Sequence, residues 1–148
     1  MPVGFKNGTG GDSQIAVDAM MSARDVAQRF TAEMDRTEEF PWENVRAMAA
    51  MGLMGLTIPE ADGGAGANYA QLVLAAEELA FGCAATSVIH LTHLSLGSEA
   101  IVRFGSGEQR QRYLPALASG ERLAAFALTE PDVAVIAAVS TASPPTIG

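Results

Sequence analysis

Cysteine, lysine and tryptophan each occur only once in these 148 residues. With Cys83 alone, neither an internal disulfide framework nor a cysteine-based zinc cluster can form. Positive charge is scarce too: nine Lys and Arg face seventeen Asp and Glu, a formal charge of -8. Phosphate contacts need clustered basic side chains, so this balance excludes nucleic acid as a partner. The same shortage argues against an anionic membrane surface. No window reaches about 18 consecutive apolar residues, so no membrane-crossing helix is predicted. Residues 1–12, MPVGFKNGTGGD, contain no apolar run of the kind a secretory leader needs. They predict a mobile arm, because so little apolar surface cannot offset the entropy of ordering. The expectation is an intracellular, cytoplasmic chain. What the sequence does have is 49% apolar residues, enough for one ordinary domain with a core.

Most of that apolar content falls at helical spacing. Ile15, Ala19, Ala23, Val26, Phe30 and Met34 line one face of a predicted first helix that starts at Asp12 or Ser13. Pro41 opens a second, with Trp42, Val45, Met48 and Met51 on its stripe and Gly52 as its left-handed stop. Trp42 at that spacing reads as a core anchor rather than a ligand stacker. Leu53–Pro59 reads as a short extended link. Asn68 caps a third helix, with Gln71 placed to close a capping box; Leu72, Ala75, Ala76 and Leu79 form its buried stripe. Thr86–Phe104 is apolar nearly all round and predicts the most enclosed helix of a bundle. Ser106 and Gln109 open a fifth, which Pro115 bends or shortens. Leu123–Thr129 then has the length and bounding signals of a buried strand. Residues 133–148 carry no charge at all and read as an unrelated tail, whose Val133–Val139 stretch is β-prone. The expected fold is mainly α: up to five helices, one β-strand and an irregular tail.

Few residues suggest chemistry by pattern. The loop Glu60–Ala67 is rich in glycine but lacks the Lys and Ser/Thr of a P-loop and the spacing of a dinucleotide fingerprint. It reads as a plain turn. Glu77 and Glu78 are sequence neighbours, which point in different directions on a helix and so do not form an acid–base pair. His90 and His93 are three apart on the long helix, but no Cys follows and no carboxylate lies closer than Glu99 to complete a metal set.

Three stretches in order carry a family resemblance. They are Gly52-Leu53-Met54-Gly55-Leu56-Thr57-Ile58-Pro59-Glu60 with Gly63-Gly64-Ala65-Gly66; Arg103-Phe104-Gly105-Ser106-Gly107-Glu108-Gln109-Arg110 running into Tyr113–Glu121; and Phe126-Ala127-Leu128-Thr129-Glu130-Pro131. Together, over roughly residues 13–132, they resemble the N-terminal part of the acyl-CoA dehydrogenase family. The resemblance implies an N-terminal helical domain over 13–121 and the first strand of a middle β domain over 122–132. It also implies FAD as cofactor, a fatty acyl-CoA thioester as substrate, and α,β-dehydrogenation by proton and hydride removal. Electrons would pass to an electron-transfer flavoprotein. Phe126, Leu128 and Thr129 match the strand that approaches the flavin ring, with Thr129 the foremost contact. Thr92 and Leu96 match positions lining the far end of the acyl pocket, although plain core packing accounts for them equally.

The departures limit what the resemblance can carry over. Family members continue from Thr-Glu-Pro into a segment of the type x-Ala-Gly-Ser-Asp, whereas here Asp132 is followed directly by Val133-Ala134. None of Glu60, Glu77, Glu78, Glu99 or Glu130 matches the family's catalytic glutamate, so no catalytic residue is expected in this chain. The sudden loss of charge and motif after Asp132 predicts a domain truncated by a deletion, frameshift or early stop, and inactive in isolation. Two rival expectations belong to other classes. One is an assembly module that forms homo- or hetero-oligomers through exposed apolar surface; the other is a gene remnant without a role.

Overall fold

A computed structural model of the chain describes residues 34–126 in full and the backbone of Ala127 and Ala138–Ala142. Upstream it describes Arg24, Asp25, Gln28 and Thr31. The expected arm over 1–12, most of the first helix and most of the tail lie outside the described residues. Arg24, Asp25, Gln28, Thr31 and residues 34–37 are helical, as the first stripe predicts.

Helix α1 (Trp42–Ala50) ends where Gly52 takes φ of 76°, the left-handed stop expected of it. The following link is not extended: Leu53–Gly55 closes a 3-10 turn with all three residues buried. That turn aims the carbonyls of Leu53 and Met54 inward, toward His90 and His93. A second 3-10 turn (Glu60–Asp62) opens the glycine-rich loop. Backbone bonds from Ala65 to Gly55, Gly66 to Ile58 and Ala67 to Leu56 then fold the loop back on the preceding segment. A Cβ at Gly64 would stand 2.1 Å from the Ile58 carbonyl oxygen. Glycine here serves backbone-to-backbone packing, in keeping with the plain-turn reading.

Helix α2 (Tyr69–Gly82) begins with the expected capping box. The Asn68 side chain accepts from the Gln71 amide at 3.0 Å, and the Gln71 side chain accepts from the Asn68 amide at 3.0 Å. Replacing Asn68 by Ala is expected to cost about 1 kcal/mol. Equilibrium denaturant unfolding would register this as a lowered midpoint with unchanged slope.

The long apolar helix starts at Ala84, two residues before the predicted Thr86, and is not uniform. It runs as α3 (Ala84–Leu91), a π-helical segment (Thr92–Ser98) and α4 (Glu99–Phe104). The widening starts where hydroxyls intercept backbone carbonyls. Thr92 Oγ1 donates to Val88 O at 2.9 Å, and Ser95 Oγ to Leu91 O at 2.6 Å. Side chains that insert into the i→i−4 ladder in this way loosen a helical turn. Helix α5 (Gly107–Ala118) has the predicted Ser106–Gln109 box and accommodates Pro115 in its last turn.

Strand β1 (Leu123–Ala127) forms where a strand is expected. The tail departs from expectation: Ala138–Ala142 is a strand, β2, rather than irregular chain. It pairs antiparallel with β1, Leu123 opposite Ala142 and Phe126 opposite Val139. The β-prone composition of the preceding residues hinted at extension. The pairing itself is non-local and is invisible to composition.

Two apolar clusters hold the described part together. Leu56, Ile58, Leu72, Leu94, Leu114 and Leu117 form one. Val45, Met48, Leu53, Met54 and Leu79 form the other, with Trp42 packed partly buried against it as the anchor its spacing predicts. No described helix is long and apolar enough to cross a membrane.

Candidate functional site

Helix α3, the start of α1 and strand β1 converge on an apolar cavity of about 310 Å³. Phe40 and Trp42 form one wall, their ring centroids 4.6 Å apart. Ile89 and Thr92 form the floor, and Leu123, Ala124 and Ala125 the other wall. Its volume sits at the small end of the roughly 300–1,000 Å³ range of ligand pockets. The lining has one polar side chain, Thr92, whose proton is used on Val88 O and, at 3.1 Å, Ile89 O. Its oxygen lone pairs stay available as acceptors. Nothing in that lining titrates near neutral pH, so the cavity can orient and enclose an apolar group but cannot remove a proton.

Among the residues singled out by sequence, Thr92 and the strand meet here. Phe126 is half-buried on β1, one residue beyond the cavity wall. Leu128 and Thr129 lie outside the described residues. Leu96 lies outside the cavity lining and is 45% exposed. The described carboxylates are elsewhere. Glu60 and Glu77 are exposed, Glu99 pairs with Arg103, and Glu78 lies 3.8 Å from Arg24.

Sequence reasoning missed the role of the two histidines in building this wall. His90 and His93 are fully buried and take successive carbonyls of the 3-10 turn: His90 Nε2 lies 2.9 Å from Leu53 O, and His93 Nε2 3.0 Å from Met54 O. His93 Nε2 also lies 3.2 Å from Leu117 O, at the end of α5, while the Ala124 amide donates to His93 Nδ1 at 3.0 Å. Carbonyls only accept, so Nε2 of each ring carries the proton; at His93 an amide only donates, so its Nδ1 is bare, while His90 Nδ1 is buried with no partner among the described residues. The His93 ring is therefore neutral. Burial drives the His93 imidazole down to about 4 and lowers that of His90 as well, against the opposing pull of their carbonyl partners. The available signal was two polar rings on a helix apolar all round, since buried polar groups must find partners.

Helices and a strand thus meet at an apolar cleft whose lining has one polar side chain, Thr92. The family described as acyl-CoA dehydrogenase, N-terminal domain, matches residues 14–121, and the chain belongs to this family. An acyl-CoA dehydrogenase of Bacillus subtilis (strain 168) is 47% identical over 98 residues, 66% of this chain and 26% of that protein. Butyryl-CoA dehydrogenase from Megasphaera elsdenii superposes with a TM-score of 0.74 at 25% identity, over 86% of this chain and 34% of its own. An acyl-CoA dehydrogenase complexed with FAD from Bacillus anthracis superposes with a TM-score of 0.64 at 30% identity, over 84% of this chain and 22% of its own. This chain thus spans about a fifth to a third of the length of these relatives.

The cavity is suited to part of FAD. Aromatic and aliphatic walls of this volume accept a planar, uncharged ring, but the lining offers no cation for a pyrophosphate. The residues present fit the ring end of the cofactor or an acyl chain, and not the charged half.

Proposed function

We propose that this chain supplies one wall of an acyl-CoA dehydrogenase site, and that it encloses FAD and acyl-CoA without carrying the catalytic base. The observation that carries this reading is the apolar cleft between α1, α3 and β1, which contains an acceptor hydroxyl but no titratable group. Phe126, Leu128 and Thr129 would face the flavin ring; Thr92, and more distantly Leu96, would bound the acyl chain. When bound, FAD supplies the hydride-accepting chemistry, with an electron-transfer flavoprotein as the onward acceptor. The chain's own task is to orient the thioester's reacting carbons and to exclude water. Proton removal requires a carboxylate that no described residue brings to the cleft.

The test is to mix the purified chain with excess FAD, a short-chain acyl-CoA and an artificial electron acceptor, and to follow flavin fluorescence alongside acceptor reduction. Quenching by bound flavin without turnover is the expected result. Turnover by the chain alone would refute the absence of a base, and no flavin or acyl-CoA binding would refute the wall.

A second reading rests on exposed apolar surface: Val73 is 61% exposed, Phe81 62% and Phe104 86%. Side chains of this size left in water favour association, which makes the chain an assembly module. Light scattering behind size exclusion separates the two. A monomer would eliminate self-association, while a discrete oligomer would support it.

A further inference from the structure

The outer edge of β1 is occupied by a side chain. In an antiparallel pair each residue turns both backbone groups toward its partner strand or both away from it. The Ala124 amide donates to His93 Nδ1 rather than to β2, so Ala124 is an outward-facing position. An imidazole nitrogen stands there in place of a neighbouring strand's carbonyl. The other nitrogen of the same ring reaches Met54 O and Leu117 O. One neutral side chain therefore ties the strand to the buried 3-10 turn and to the end of α5. Directly below, a Cβ on Gly97 would lie 2.3 Å from the Ala124 Cβ. The π-helical segment thus holds Ala124 twice, with a hydrogen bond from position 93 and close backbone approach at position 97.

We propose that His93 is a positioning residue that fixes the register of β1, and with it the face that Phe126 presents, resting on the reading that β1 forms the flavin-side wall. Side chains alternate along a strand, so a slip of one residue would exchange the faces of Ala124 and Ala125 and of Phe126 and Ala127. β2 alone does not prevent such a slip, because its outward-facing and inward-facing pairs repeat along a run of small residues, Ala138-Val139-Ser140-Thr141-Ala142. The Ala124 amide has one acceptor, at one position. Met54 O and Leu117 O hold the ring from the far side, so rotation of the imidazole cannot follow a displaced strand without breaking bonds to two other elements.

The experiment uses the full chain, as wild type, His93→Phe and His93→Gln. Phenylalanine keeps a ring but neither hydrogen bond; glutamine keeps one acceptor and one donor. Nitrogen NMR of the wild type should show His93 protonated at Nε2 and bare at Nδ1, with scalar coupling from Nδ1 to the Ala124 amide nitrogen. Amide exchange at Ala124 should accelerate roughly tenfold or more in His93→Phe. Amides in the middle of Tyr69–Gly82 should keep their protection, and His93→Gln should restore part of that at Ala124. Absent coupling in the wild type overturns the proposal even if His93→Phe fails to fold, and so does unchanged Ala124 exchange in a folded His93→Phe. FAD titration of the same samples separates the two readings. If the wild type binds no flavin, the flavin-wall reading fails while the NMR result decides the strand clamp. If wild type and a folded His93→Phe bind flavin equally well, the positioning role is overturned.

Discussion

Replacing Gly97 by alanine is expected to separate β1 from the helical body. In an exposed helix interior the same change would stabilise by roughly 1 kcal/mol, because alanine loses less conformational freedom. Here the new methyl would sit 2.3 Å from the Ala124 Cβ and 3.1 Å from the Ala124 carbonyl carbon. The first of these is a side chain without any flexibility of its own and the second is backbone, so neither can rotate away. Either the strand retreats or the helix shifts, and crowding of a close-packed contact costs about 1–3 kcal/mol. Because the Ala124 amide must stay 3.0 Å from His93 Nδ1 to keep its bond, a retreating strand loses that bond too. The expected outcome is a lower denaturant midpoint together with weaker protection of the β1 amides. Gly107, where a Cβ would meet nothing within 4 Å, supplies the control: Gly107→Ala should leave both readouts nearly unchanged. Equal behaviour of the two variants would show that β1 does not pack against the π-helical segment as described.

Acidification is expected to weaken the fold well above the pH at which carboxylates titrate. An unfolded histidine takes up a proton near pH 6.5, whereas burial holds folded His93 neutral down to about 4. Between these values the unfolded chain binds more protons, so stability must fall as pH falls. The contribution is complete above pH 6.5 and is lost progressively toward pH 4. For His93 alone the loss is about 3 kcal/mol, a large share of the roughly 5–15 kcal/mol that holds a typical domain. His90, lowered by burial in the same way, acts in the same direction. Denaturant midpoints at pH 7.5, 6, 5 and 4 should therefore decline steeply across the lower values. His93→Gln, with no proton to gain, should flatten the decline even if it starts lower. A wild-type midpoint constant from pH 7 to 4.5 would rule out the neutral, buried imidazole.

Local signals in the chain were reliable wherever a few neighbouring residues decide the outcome. Asn68 with Gln71, and Ser106 with Gln109, each close a capping box because the four residues involved supply every donor and acceptor themselves. Gly52 stops α1 because only its own backbone has to tolerate a positive φ. Thr92 was found through motif resemblance, and it does reach the cleft. Leu96, matched through the same resemblance, lies outside that lining and is 45% exposed. Residues 133–148 were legible as uncharged and Val133–Val139 as β-prone. That some of them would pair with β1 was not, because pairing depends on which edge is presented many residues away.

Composition and spacing alone were enough to predict an acidic, mainly helical domain, and three motifs in order added its resemblance to the acyl-CoA dehydrogenase family. Periodicity, caps and charge act over one or two helical turns, and such short-range terms can be read in order along the chain. The wall of the cleft arose otherwise. Ala124, His93, Gly97, Met54 and Leu117 come from a strand, a widened helical turn, a 3-10 turn and the end of α5. Nothing in their sequence spacing brings them together. They meet around the buried His93 imidazole, to which only the packed fold offers an amide on one side and carbonyls on the other.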